Sequence, residues 1–401
     1  MNDPRLAIRG TGLFDGNTAH VGPAMILVES GRITDVDLTG APPPEDAVVA
    51  DLGDVTLLPG LIDAHTHLVF DPDGNTEHQM VHDDDSVLLD RMRGHAARAL
   101  RAGITTVRDL GDRGYLALTL RDEVAGGGFG PHIVAAGPPI TRTGGHCWYL
   151  GGEADGADQA IAAVAARADR GADLVKIMAT GGMSTAGSNP RGTQYDLPEL
   201  QAVTRAARDR GLPVVAHAHA AAGIADAVAA GAHSIEHCTF MTPAGVGLDP
   251  KTVDAIAAAG VFVGCTVARP RDDMPEAVLS TIAPYWANHA YMHSHGVRVV
   301  CCTDAGINPH KPHDVLPRDV VYFASQVTGA REALISVTSL AAESCGLAHR
   351  KGRLAPGYDA DILAIAGDPL RDIAAILDVR AVYREGRQVV GAAVGGRPVP
   401  R

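Results

Sequence analysis

Apolar positions gather in eight short, nearly continuous runs, at residues 57–68, 104–110, 133–140, 174–179, 214–220, 234–240, 261–267 and 297–303. Runs of this length without polar alternation predict strands buried on both faces, the pattern of a parallel sheet covered by helices. Most are followed by alanine-rich stretches with helical spacing, such as residues 157–170, 198–210, 221–230 and 250–259. Gly171, Gly211, Gly231 and Gly260 follow these stretches, where a left-handed C-cap is expected. Eight such β-then-α units over about 250 residues predict an α/β fold of the (β/α)8 TIM-barrel type. An open doubly wound sheet is the weaker alternative, because no Gly-x-Gly-x-x-Gly follows an early strand.

The two ends of the chain read differently. Short β-like runs broken by Gly and Pro occupy residues 24–29 and 32–36 near one end, and 361–365, 379–384 and 388–390 near the other. They predict a small β-sandwich domain built by both termini, residues 1–58 with 350–401, flanking a barrel of residues 59–349. The Pro42-Pro43-Pro44 run is read as a surface turn.

Candidate chemistry sits where such a barrel would place it, at the C-terminal ends of the strands. His65 and His67 close the first run, and residues i and i+2 of a strand project to one side. Two converging neutral imidazoles suit a divalent ion such as zinc. Lys176, His217 and His237 fall on strands 4, 5 and 6, and Asp304 follows strand 8. Each is a residue type that is costly to bury without a partner. A chance scatter of His, Lys and Asp would not keep to strand ends.

The motifs Pro59-Gly60-Leu61-Ile62-Asp63-Ala64-His65-Thr66-His67, Val175-Lys176-Ile177 with Gly181-Gly182, and His217-Ala218-His219 recur in one known group. So do Ser234-Ile235-Glu236-His237, Thr303-Asp304-Ala305-Gly306 and the C-terminal run from Gly352 to Ile362. Over nearly its whole length the chain resembles the metal-dependent hydrolases of the amidohydrolase superfamily. Its pattern is similar to the Xaa-Pro dipeptidase-like and carboxypeptidase-like branch. The resemblance implies a hydrolase acting on carbon–nitrogen bonds, such as the amide of a dipeptide or an N-acyl amino acid. It implies two divalent ions, expected to be Zn2+: His65, His67 and Asp304 on one, His217 and His237 on the other. Lys176 would bridge them as a CO2-derived carbamate, since an ammonium cannot ligate a metal. Its apolar neighbours Val175 and Ile177 favour that reaction by lowering the amine's proton affinity. A hydroxide held between the ions is the implied nucleophile, with Asp304 as proton shuttle. His219 is implied as a hydrogen-bond donor to the developing oxyanion, and His146 as a substrate contact. Arg191, Arg269 and Arg271 are candidates for a substrate carboxylate. His289, His293, His295, His310 and His313 are read as solvated or structural.

Two rival readings remain. An imidazolonepropionase-like or other cyclic amide hydrolase or deaminase of the same superfamily would usually lack the bridging lysine. A scaffold that has lost its metal would show broken ligands, and none of the six is broken. A net charge of −13 speaks against nucleic acid or an anionic membrane as partner. A small-molecule substrate and a homo-oligomer are expected instead. Six cysteines form no Cys-x-x-Cys pair and read as reduced thiols. Met1-Asn2-Asp3-Pro4-Arg5 lacks the features of a signal peptide, and no apolar stretch is long enough for a bilayer. Both point to the cytoplasm.

Overall fold

The computed structural model describes residues 5–274 and 276–391. Met1, Asn2, Asp3, Pro4, Pro275 and the stretch 392–401 of the expected small domain lie outside the described residues. The N-terminal strands are β1 (Leu6–Phe14), β2 (Ala19–Glu29), β3 (Arg32–Asp37), β4 (Val48–Asp51) and β5 (Val55–Pro59). Nine further strands follow: β6 (Leu61–Thr66), β7 (Ile104–Asp109), β8 (His132–Ala135), β9 (Val175–Met178), β10 (Val214–Ala220), β11 (Ser234–Thr242), β12 (Gly245–Val246), β13 (Phe262–Cys265) and β14 (Arg298–Cys301). The last three are β15 (Ile362–Ala366), β16 (Val379–Arg384) and β17 (Arg387–Val390).

The run 57–68, expected as one strand, is two strands in two sheets. β5 lies between β1 and β15 in a sheet of order β17-β16-β15-β5-β1-β2-β3, with β4 also paired to β1. β6 pairs in parallel with β7 instead. The switch occurs at Gly60, where a Cβ would lie 2.1 Å from Thr105 Oγ1. Only glycine lets the chain pass that close. The sheet of the two ends encloses its own apolar cluster, including Ile8, Ile26, Leu57, Ile362 and Tyr383.

The remaining strands form two parallel sheets, β6-β7-β8 and β9-β10-β11-β13-β14, with the short β12 antiparallel to β11. Their burial is continuous, as the apolar runs require: every residue of β6, β7, β9, β10 and β13 is buried. Backbone contacts connect the two sheets on both sides. Ile140 donates to Lys176 O and accepts from Met178 N, each at 2.8 Å. On the other side Asp304 N donates to His65 O at 2.7 Å and His67 N to Ala305 O at 3.0 Å. The third strand is shorter than expected, ending at Ala135. Pro138 and Pro139 supply no N–H to continue its ladder.

Helices follow the strands: α1 (Thr76–His82), α2 (Asp85–Arg101), α3 (Leu116–Ala125), α4 (Gly156–Asp169), α5 (Leu197–Arg208), α6 (Ala221–Ala230), α7 (Pro250–Ala259), α8 (Glu276–Ser294) and α9 (Leu316–Phe323). Their ends carry the expected chemistry. Asp196 and Glu199 make a reciprocal capping box on α5, and Asp249 caps α7 ahead of Pro250. Gly231 and Gly260 close α6 and α7 in the left-handed region. No helix among the described residues is long and apolar enough to cross a membrane.

Candidate metal centre

β6, β9, β10, β11 and the turn after β14 bring His65, His67, Lys176, His217, His219, His237 and Asp304 into one buried group. Asp304 Oδ1 lies 3.4 Å from both His65 Nε2 and His67 Nε2. The His237 ring is 5.1 Å from that of His65 and 4.6 Å from those of His217 and His219, centroid to centroid. The His146 ring, on the loop after β8, is 4.6 Å from that of His217. His237 therefore belongs to two overlapping sets of potential ligand atoms, one with His65 and Asp304, the other with His217 and His219. The six expected ligands, with His219 and His146, meet here, and the candidate arginines do not. Two of them sit in strained backbone, with φ at 70° for His237 and 58° for Asp304. Left-handed non-glycine residues cost about 1–3 kcal/mol each and persist where the surroundings force them.

Each imidazole is held by one nitrogen, which leaves the other free to face the centre. His65 Nδ1 donates to Glu236 Oε2 (2.8 Å), His67 Nδ1 to Gly111 O (2.9 Å) and His217 Nε2 to Gly181 O (3.1 Å). These partners only accept, so the bonded nitrogen carries a proton, and in the neutral ring the opposite one keeps a lone pair. His65 and His67 thus present Nε2 to the centre, and His217 presents Nδ1. Thr266, Thr239 and Thr185 hydroxyls hold the Nδ1 atoms of His237, His219 and His146. Burial, reinforced by Lys176, lowers the pKa of His65 and His219 to about 4 and of His146 to about 3. His217 and His237 are pushed further down by burial and by neighbouring histidines. Neutral His65 and His217, each with an inward lone pair, are what a divalent cation requires.

Lys176 is 1% exposed, and its Nζ has no hydrogen-bond partner among the described residues. His65 Nε2 is likewise unsatisfied. Burial lowers the Lys176 pKa to about 8, partly opposed by Glu236 and Asp304. Near neutrality an appreciable fraction is therefore the free amine, the form that reacts with CO2. Burial opposes ionisation of Asp304, but its charged surroundings, Lys311 among them, hold its carboxyl well below the usual range. Orphaned buried nitrogens beside a charged carboxylate fit a cationic group between them.

Behind His65 lies a pair that the expectations did not assign. Glu236 accepts from His65, from Ser234 Oγ (2.8 Å) and from Arg108 Nη2 (3.0 Å). Arg108 also donates to Ala64 O and Ser344 O. Burial disfavours the carboxylate, yet Arg108 and His65 take its pKa down to about 2. A grouping of His65, Glu236 and Cys302 lies on this outer side. Arg108 already neutralises its carboxylate and burial pushes the Cys302 thiol up, so its role is structural. Arg108→Met would strand a charge at a fully buried position. Chemical denaturation is expected to show a loss of about 3–5 kcal/mol, the range for breaking one side of a buried pair. The double variant Arg108→Met/Glu236→Gln should recover part of that loss. A single-variant cost below about 1 kcal/mol would show that the pair does not carry this charge balance.

The other histidines are structural or peripheral. His289 Nδ1 bonds Tyr285 O, and His313 Nε2 donates to His67 O while stacking on His95 at 4.0 Å. His295 bonds Tyr291 O at the end of α8, and His310 lies 4.0 Å from Asp273. Of the candidate arginines, Arg271 is paired with Asp273 and the exposed Arg191 donates to Thr242 O. Arg269 lines a groove with Arg318, Arg371 and Asp372, and none of the centre's residues lines it. A cation that sequence reasoning missed is closer. Lys311, 5% exposed on the loop after β14, has its Nζ 4.0 Å from Asp304 Oδ2.

The profile described as "Amidohydrolase family" matches residues 56–389. Among curated proteins, the chain is similar to an ochratoxinase of Aspergillus niger, 27% identical, covering 84% of this chain and 76% of that one. It is also similar to an imidazolonepropionase of Salinispora arenicola, 27% identical over 89% of each chain. Among solved structures, a Xaa-Pro dipeptidase with methionine bound in its active site is 28% identical. It has a TM-score of 0.84 and covers 96% of this chain and 100% of that one.

Proposed function

The chain belongs to the amidohydrolase family, and from that premise we propose that it hydrolyses the amide or peptide bond of a small substrate, such as a dipeptide or an N-acyl amino acid, at a binuclear metal centre. The observation that carries the reading is Lys176: a buried amine without a hydrogen-bond partner, set among neutral imidazoles. An ammonium meant as a counter-ion would be bonded to Asp304 or Glu236, and it is not. His65, His67 and Asp304 would hold one divalent ion, expected to be zinc, and His217 and His237 the other. Lys176, carboxylated on Nζ by CO2 with loss of a proton, would bridge them. When bound, the two ions supply Lewis acidity, lowering the pKa of the attacking water and polarising the scissile carbonyl.

The chain's own groups do the rest. Asp304, ionised and next to His65 and His67, takes the proton of the attacking water and hands it to the leaving nitrogen. His219, whose Nδ1 is fixed by Thr239, directs Nε2 toward the oxygen on which charge develops. His146, anchored by Thr185, borders the space beside His217 and contacts the substrate. The architecture behind this is a closed (β/α)8 barrel of residues 59–349. A small β-sandwich domain from 1–58 and 350–401 would flank it. Backbone contacts across both sheet boundaries support the closure, and an apolar cluster confined to the two ends of the chain supports the small domain. A cytoplasmic location and assembly of several copies accompany the proposal.

A one-metal hydrolysis of a cyclic amide is the second reading, favoured by the similarity to an imidazolonepropionase. Metal content separates the two. Protein prepared in bicarbonate and zinc is expected to hold two ions per chain and to carry the mass of CO2 on Lys176. One ion per chain and no mass increment would overturn the binuclear proposal and favour the second reading.

A further inference from the structure

We infer that Lys311 is the specificity-determining residue of this site, the receptor for a carboxylate on the leaving group, so that the amine released is an α-amino acid. The inference rests on the proposed amide hydrolysis at the same centre. Lys311 leaves the loop after β14, where Gly306 N bonds its carbonyl, and crosses to the end of β13. There its Nζ donates to Thr266 O at 2.6 Å. The hydroxyl of that same Thr266 holds His237 Nδ1 at 2.7 Å. Nζ therefore stands between the His237 and Asp304 sides of the centre. An ammonium has three N–H donors, and one is used on Thr266. Asp304 Oδ2, at 4.0 Å, is too distant to accept another. Two donors of a buried cation make no hydrogen bond among the described residues, Asp319 being its other buried acidic neighbour.

The spacing fits one kind of leaving group. Asp304 delivers its proton to the leaving nitrogen, which must come within hydrogen-bond reach of its carboxylate. In an α-amino acid the carboxyl carbon lies about 2.5 Å from that nitrogen, across two bonds. A cation 4.0 Å from Asp304 Oδ2 is thus placed to take the carboxylate while Asp304 serves the nitrogen. Three arginines on the loops at the strand ends are spent or turned away. Arg142 is held by Glu199, Arg271 by Asp273, and Arg191 lies exposed on Thr242 O.

The test compares N-acetyl-L-methionine, N-acetyl-L-phenylalanine and N-acetyl-L-proline with their C-terminal carboxamides, in the zinc-loaded wild type, Lys311→Met and Lys311→Arg. Wild type is expected to prefer the acids. Lys311→Met should raise KM for the acid about 10- to 100-fold, the range for losing a charged hydrogen bond, and collapse the acid-to-carboxamide ratio of kcat/KM toward one. Lys311→Arg should keep much of the preference. If Lys311→Met lowers acid and carboxamide equally, with the ratio intact, Lys311 only braces Thr266 and the inference is overturned. If wild type cleaves neither series, amide hydrolysis fails as the activity. Lys311 is then judged by calorimetric binding of the same compounds. Acids that bind wild type at least about tenfold more tightly than the carboxamides, and lose that margin in Lys311→Met, support it. Equal binding, or no binding of any acid to wild type, overturns it.

Discussion

Asp304→Asn is expected to keep most of its metal and to lose on the order of 10²–10⁴-fold in kcat, the usual range for removing a general acid or base. The amide still offers an oxygen at the point where Oδ1 now stands, 3.4 Å from His65 Nε2 and His67 Nε2. It cannot take a proton from water and return it to a leaving nitrogen. The native carboxyl is suited to that task because the Lys311 ammonium beside it favours the charged form despite burial. Metal analysis alongside kcat at saturating zinc separates the two functions. A variant retaining more than about a tenth of wild-type kcat would show that the proton passes through another group.

Lys176→Ala is expected to lose activity by on the order of 10²–10³-fold, as removal of a bridge that organises both ions requires. Acetate or propionate should restore part of it. The side chain removed is long and lies in a buried gap, and its proposed working form is anionic. A short carboxylate can enter that gap and span two cations, whereas an alkylammonium would be repelled by them. The measurement is kcat/KM of the variant with added acid or amine at fixed zinc and pH. Rescue by amines and not by acids would mean that Lys176 works as an ammonium, and the carbamate assignment would fall.

The strands and their order were legible because burial on both faces writes a continuous apolar run, and the helices because caps such as Asp249 and Gly260 punctuate them. The members of the centre could be named because a His, Lys or Asp at the end of such a run has no other economical explanation. What could not be read depends on contacts far apart in sequence. Arg108 sits inside an apolar run and meets Glu236 128 positions away. The only signal in the chain was a charge where none is tolerated alone. Lys311 looks like any loop lysine until its stem is seen crossing to Thr266. The division of the first run at Gly60 was hidden because both halves are apolar, and only the approach of Thr105 makes the glycine necessary. The left-handed backbone of His237 and Asp304 leaves no trace in composition either.

The pairing of β5 with β15, Pro59 opposite Ile362 through Val55 opposite Ala366, has a consequence for how the protein is made. A chain growing from the ribosome exposes β5 and β6 early, yet β15 emerges roughly 300 residues after β5 and Asp304 roughly 240 after His65, at a synthesis rate of roughly 5–20 residues per second. His65 acquires its backbone contact to Asp304, and β5 its neighbour on one side, only when most of the polypeptide is out. The N-terminal strands must therefore wait many seconds with open edges, a period in which chaperone capture competes with self-association. Truncation ahead of β15 leaves β5 without that neighbour, so shortened forms should partition into aggregates in proportion to the time this edge stays bare.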